Sequence, residues 1–293
     1  MKRSMLWYLL FISAVSASGQ TKIDIAGSIE WAEMRIKAAV QVDLPSAGIR
    51  LPTGRIHAEE IISDEYPHLM RPHLLALPVD SGTTVGDLLA RGEFSLVGAD
   101  AISLSARKVP PTLSNDLNVM SAWYTLNLAV LSKSLIRHSR PKDPIRVPAP
   151  PPVRSYTGII IIASETLPVH GRNTASLALP CLFPKVWDTR MNLIYERNMI
   201  DPDTVGMMVR YAGPESVFYP SPSGLDERIV ALVGLNPLRI IARGVFGIRP
   251  TDPIIDYEDA LLIVSSEENR RLLREGKVAI VLDAGVLTGP LEQ

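Results

Sequence analysis

"YTGIIIIASETLPVHG", residues 156–171, sets four consecutive isoleucines between a proline-rich stretch and a polar turn with a lone histidine. The apolar run, Gly158 to Ala163, is short for a buried helix and far too short for a membrane span of ~20 residues. A strand covered on both faces fits a brief, unbroken run of β-branched residues. His170 then sits in a polar turn between two strands. This reading places a sheet in the second half of the chain and makes its arrival mark a new domain.

Upstream of it lies "RPKDPIRVPAPPPVR", with six prolines between Pro141 and Pro152. Proline density of this kind favours extended, semi-rigid polyproline geometry. It is the best domain boundary in the sequence. Arg140, Lys142 and Arg146 give it a basic character, and a solvated spacer is its plain reading.

Downstream, "CLFPKVWDTRMNLIYE" reads as a hairpin turning at Asp188-Thr189, and "NPLRIIARGVFG" reads as one further strand. Asp256 is placed to cap a helix over "YEDALLIVSS", with Asp259 favourable near its N-terminus. Ser265 and Glu268 have the spacing of a capping box for "EENRRLLREG". "KVAIVLD" closes the region as a strand.

Before the spacer the period changes. Ile23, Ile25, Ile29 and Trp31 fall on odd positions, and Met34, Ile36, Ala38, Val40, Val42 and Leu44 on even ones. Each run alternates, which predicts a hairpin with one buried face. Thr53 is placed to cap a helix starting near Arg55, in which Ile56, Ile61, Ile62, Leu69, Met70 and Leu74 keep roughly helical spacing. Pro67 and Pro72 are expected to kink or interrupt it. A second helical stretch follows Thr84 and breaks near Gly92. "LNVMSAWYTLNLAVL" reads as a strand, and a short helix ends by His138. The fold class is therefore α+β: a signal segment over 1–19, a first α+β domain over 20–140, a linker over 141–155, a second α+β domain over 156–285 and a tail over 286–293.

Composition agrees with a globular protein. The chain has 293 residues, 46% hydrophobic and 21% charged, so there is material for one large core or two modest ones. The net charge of −1 gives no general attraction to nucleic acid. "MKRSMLWYLLFISAVSASGQ" has Lys2 and Arg3, an apolar run from Met5 to Val15, then small residues. That order is a secretory signal peptide, with Val15-Ser16-Ala17 a cleavage site, and it predicts an exported, periplasmic protein. No cysteine lies near the cleavage site, so no lipid anchor of the N-terminal cysteine type is expected. Cys181 is the only cysteine. It cannot form an internal disulfide, and its apolar neighbours predict a buried, inert thiol.

Chemical motifs are sparse. Ser105-Ala106-Arg107-Lys108 has the S-x-x-K spacing of Ser-Lys enzymes, but the S-D-N and K-T-G partners do not occur. His57-Ala58-Glu59 and Pro180-Cys181 resemble fragments of the zinc-deaminase signature, but position 184 is Pro184 and the second cysteine is missing. His68 and His73 are five apart, which does not put both on one helical face. Asp252, Asp256, Glu258 and Asp259 lack the glycine and ligand spacing of a calcium loop, and capping accounts for two of them. Ser164, His170 and Asp188 could be drawn as a triad, although closeness in sequence is not triad geometry. No glycine-rich phosphate loop occurs. Catalytic, cofactor and metal sites are all expected to be absent.

The order of motifs in the second region is similar to a pattern in exported bacterial proteins of the FlgP/FlgT-type flagellar accessory group. Gly158 and Ile159 to Ile162 match its first apolar segment. Pro184, Lys185, Val186, Asp188, Ile194 and Tyr195 match the next. Asn236-Pro237-Leu238, Thr251-Asp252, Asp259-Ala260 and Val278 to Asp283 match the later part. The match spans about Tyr156 to Asp283. The turn usually reading "DARGLG" is "ASETLP" here, and the lipid-accepting cysteine is missing. "AGIRLPTGR" and "VDSGTTVGDLL" in the first region look like uncharacterised exported spirochaete proteins of the same two-part layout. The resemblance implies a non-enzymatic envelope component that self-associates and contacts envelope or flagellar motor proteins, in a ring or collar. The alternative is a periplasmic hydrolase or ligand-binding protein using the Ser164–His170 turn.

Overall fold

A computed structural model describes residues 23–144, 155–203, 207–218, 221 and 224–291. The signal segment and most of the proline spacer lie outside the described residues. No helix among those described is long and apolar enough to cross a membrane.

The first region contains β1 (Ile23–Glu30), β2 (Arg35–Asp43), α1 (Arg55–Ala76), α2 (Val85–Ala90), α3 (Leu96–Leu104), β3 (Arg107–Lys108), β4 (Thr112–Leu113), β5 (Val119–Asn127) and α4 (Leu128–Leu135). The second contains β6 (Ile159–Ala163), β7 (Leu167–Pro168), β8 (Ala175–Ser176), β9 (Val186–Asp188), β10 (Leu193–Tyr195), β11 (Arg210–Ala212), α5 (Glu227–Val233), β12 (Leu238–Ile241), β13 (Gly244–Phe246), β14 (Asp252–Ile255), α6 (Tyr257–Val264), α7 (Glu267–Arg274), β15 (Val278–Leu282) and β16 (Thr288–Pro290). Helices and sheets mix in both regions, so the fold class is α+β.

The first sheet runs β16-β1-β2-β5-β3, with β4 also on β5. Register explains the alternation in the sequence. Ile25 pairs with Val40, which pairs with Ala122, and Ile29 pairs with Ile36, which pairs with Leu126. These rows form the core face. Asp24, Gln41 and Ser121 form one row of the opposite face, and Ser28, Lys37 and Thr125 another. A half-wetted antiparallel sheet imposes that period of two.

Helix α1 covers the core face. Ala58, Ile62, Tyr66, Met70 and Leu74 are all buried at intervals of four. Pro67 and Pro72 lie inside the helix without ending it. Each proline leaves one carbonyl without its amide, and the buried stripe holds the helix against the sheet all the same. The N-cap is Gly54 rather than Thr53, whose hydroxyl turns back to the Arg50 carbonyl. Ile56 is exposed, two residues before Ala58 and on the opposite face of the helix. The strand expected to run past Leu128 stops at Asn127, whose side chain accepts from Ala129 N at 2.8 Å and starts α4.

The second region is built on a parallel sheet of order β11-β15-β6-β12. Ile159 and Ile161 face one core, with Leu238, Ile240 and Ile280. Ile160 faces another, with Ala279, Val281 and Val233 of α5, and Ile162 packs against it. Both faces are covered, which is why the isoleucines run without interruption. Gly158 admits α5: a Cβ there would lie 2.4 Å from Val233 Cα. A second sheet, β10-β9-β14-β13, stands beside it. "NPLRIIARGVFG" therefore splits into two strands. Ala242 still donates to Ile162 O, and Arg243 already donates to Ile254 O. The expected cap of α7 moves by one residue: Ser266 accepts from Asn269 N, and its hydroxyl donates to Glu268.

The two regions meet over a continuous buried cluster. Residues 286–293, expected as a tail, include β16, which pairs antiparallel with β1. Trp31 N donates to Leu287 O, and the Trp31 ring meets Tyr211 edge-on, centroids 6.1 Å apart. Leu182 and Phe183 donate to Pro78 and Val79 carbonyls, and Arg249 donates to Ser81 O. At the start of the spacer, Lys142 N donates to Asn198 O.

Candidate interaction surface

The isoleucine strand β6 lies inside its sheet, between β15 and β12. It has no open side for a neighbouring subunit. The sheet ends in β11 and β12, and among the described residues β12 is the edge that carries an exposed apolar side chain. Leu238 and Ala242 donate into β6 at 2.9 and 2.8 Å, so by the period of the ladder Ile241 N–H turns outward. The Ile241 side chain is 64% exposed. It shares a face with Arg239, whose guanidinium reaches Val217 O, next to exposed Phe218. Leu235, in the turn that enters β12, is 73% exposed. An open parallel edge thus carries apolar side chains that the core did not take.

The residues with catalytic spacing are engaged elsewhere. Asp188 is buried, and its carboxylate accepts from Arg190 N, Asn192 N and Asn192 Nδ2, all at 2.8–2.9 Å. It holds its own hairpin turn. His170 is exposed. Its amide donates to Val245 O and its ring lies 6.0 Å from the Phe246 ring. Among the described residues no hydrogen bond joins Ser164, His170 and Asp188.

Lys108 does meet a serine, but it is Ser63 rather than Ser105. Its ammonium donates to Ser63 Oγ at 2.6 Å, and that hydroxyl donates onward to Glu59 O at 2.7 Å. The contact anchors β3 to α1. Ser105 Oγ donates to Ile102 O.

The histidines and acids scatter likewise. His57 and Glu60 are exposed, and Glu59 pairs with Arg55. His68 is exposed against Arg71, whereas His73 is buried. Asp256 caps α6, and Arg243 lies 3.5 Å from it. Burial, with Asp256 nearby, pushes the Asp259 carboxyl up. Among the described residues no three histidine, cysteine, aspartate or glutamate side chains gather as a metal-binding group.

One polar cluster is fully buried at the join of the regions. Tyr211 OH donates to Cys181 O at 2.8 Å and accepts from Cys181 N at 3.0 Å. The Cys181 thiol has no solvent access, as expected, and burial pushes its pKa up. Asp252 Oδ1 accepts from Lys185 N and Thr251 Oγ1, at 3.2 and 2.8 Å. Its Oδ2 and Trp187 Nε1 are buried without a bond of normal geometry, although Ser81 and Trp187 both face the carboxyl and favour its charge. Burial raises the Asp252 pKa. No sequence motif signals this cluster, because its members come from four separate segments.

Comparison with known families fits this architecture. Residues 22–134 match the model of the N-terminal domain of Treponema pallidum Tp0624, and residues 158–284 match the model of the second domain of the same protein. The chain carries both Tp0624-type domains. They stand in the two-part spirochaete layout, and the unmatched interval between them contains the proline spacer. The second match ends before β16, the strand that returns to the first Tp0624-type domain. No curated protein is similar enough to count as a match.

Proposed function

We propose that the protein is an exported, non-enzymatic component of the cell envelope that assembles through protein–protein contacts at the β12 edge. The observation that carries this reading is the open edge itself, with Ile241 exposed and its amide turned outward. Unpaired edges are templates for strand addition. The occupant we favour is a second copy. A two-fold pairing of β12 with β12 about Ile240 puts Arg239 of one copy opposite Ile241 of the other. No like charges then face each other, and an isologous contact of this kind closes on itself.

The N-terminal segment, with Lys2, Arg3 and the apolar run behind them, supports export. Support for a non-enzymatic role comes from Asp188, Lys108 and Asp256, each engaged in holding a turn, an anchor or a helix start. The likeness of the stretch from Tyr156 to Asp283 to FlgP/FlgT-type proteins supports a flagellar ring or collar as the assembly.

Light scattering after size exclusion tests the contact. The expected result is a mass that rises with concentration, and loss of that rise in Ile241→Lys with unchanged circular dichroism. A strict monomer at high concentration overturns self-pairing. If an envelope or motor protein is then co-purified through the same edge, the occupant is that partner instead. Ester and peptide hydrolysis by the parent protein, lost in His170→Ala, would overturn the non-enzymatic part.

A further inference from the structure

We infer that a cavity at the join of the two regions binds a small apolar carboxylate. It has a volume of about 310 Å³, at the small end of the roughly 300–1,000 Å³ typical of ligand sites. Trp31 at the end of β1, Leu77 at the end of α1, Leu179 from the second region and Leu291 beyond β16 form its apolar wall. The remaining polar side chains of the lining are His73 and Arg249, and no carboxylate lines it. The site therefore presents an apolar body with cationic and hydrogen-bonding groups.

Both polar side chains lack a partner for the contact such a ligand would make. His73 is 7% exposed, and its Nδ1 is buried without a partner among the described residues. A buried nitrogen left unbonded is costly, and turning the ring to present it to a ligand oxygen would relieve that cost. Arg249 is exposed and forms no contact ion pair among the described residues. Its field also favours the charge on Asp87, but the Asp87 carboxylate is bound by Thr84 N and Thr84 Oγ1 at 2.7 and 2.9 Å.

Arg249 is also held in place. Its amide donates to Ser81 O and its carbonyl accepts from Thr251 N, both at 2.8 Å. Gly247 makes this turn possible: it sits at φ +115°, and a Cβ there would come 2.2 Å from Ser81 Cβ. An arginine on a locked turn and a histidine with an unbonded nitrogen, both lining the cavity, form an anion-recognition pair. The inference is independent of the β12 edge.

Isothermal titration of the full chain with octanoate, octanol and octylamine, below their micellar ranges, tests it. Octanoate is expected to bind, with octanol at least tenfold weaker and octylamine not binding. Arg249→Gln should weaken octanoate about tenfold. Gly289 lines the cavity and a Cβ there meets nothing within 4 Å, so Gly289→Phe should fold and block binding by occupying space. His73→Gln, which keeps a polar group, should weaken binding less than Arg249→Gln. Absence of octanoate binding, equal binding of all three ligands, or binding unchanged in both Arg249→Gln and Gly289→Phe would overturn the inference.

Discussion

The two main sheets answer the same physical demand in opposite ways. The first is antiparallel, with one face on α1 and the other toward water, and its strands alternate. The second is parallel and covered on both faces, and β6 reads as four isoleucines in a row. Burial on one side or two decides which pattern a strand must carry. The first sheet holds its exposed charge in pairs, such as Lys37 with Glu30 at 2.9 Å. The second has no wet face and leaves its exposed apolar groups at the β12 edge.

The sharpest way to break this comparison is to truncate one side chain in each sheet. Ile161→Ala, in the doubly covered sheet, should cost about 2–5 kcal/mol in urea denaturation. Lys37→Ala, on the wet face, should change stability by less than about 1 kcal/mol. Equal losses would mean that the two sheets are not covered differently.

Next in size is the start of α4, where the first region turns from strand to helix. Asn127→Ala removes the side-chain cap on Ala129 N and should lower stability by about 1 kcal/mol. Asn127→Asp should keep most of it. If Ala and Asp behave alike, the cap is not what ends β5.

The smallest effect is one of pH, at the join of the regions. Burial raises the folded pKa of Asp252 above its unfolded value. Its contribution to stability is thus fully present below about pH 4, the unfolded value, and is lost as pH rises through the folded pKa. Asp252→Asn removes this dependence. The stability difference should shift in favour of the variant between about pH 4 and neutrality, read from denaturation curves at several pH values. A parallel pH profile for both proteins would show that Asp252 is solvated.

Much of the fold was legible because it depends on local rules. The odd and even runs of β1 and β2, the Asp256 cap and the buried Cys181 follow from period, capping and composition. The helix across Pro67 and Pro72 was not legible. Local chemistry predicts a break there, and the buried stripe from Ala58 to Leu74 overrides it. For the candidate surface, the IIIIA strand stands out in the sequence, but the structure puts it inside the sheet and β12 at an edge. Hydrophobicity alone does not say which strand of a covered sheet is last in order.

From sequence alone came the α+β class, the change of strand pattern between the two halves and the expectation of export. Each is written in residues near one another, where backbone geometry and burial act locally. Only the tertiary structure decided that β16 returns to β1, that Lys108 meets Ser63, and that His73 and Arg249 share a cavity. Those pairings join residues from about 45 to more than 250 positions apart. They are selected by the packing of whole faces, which no local pattern records.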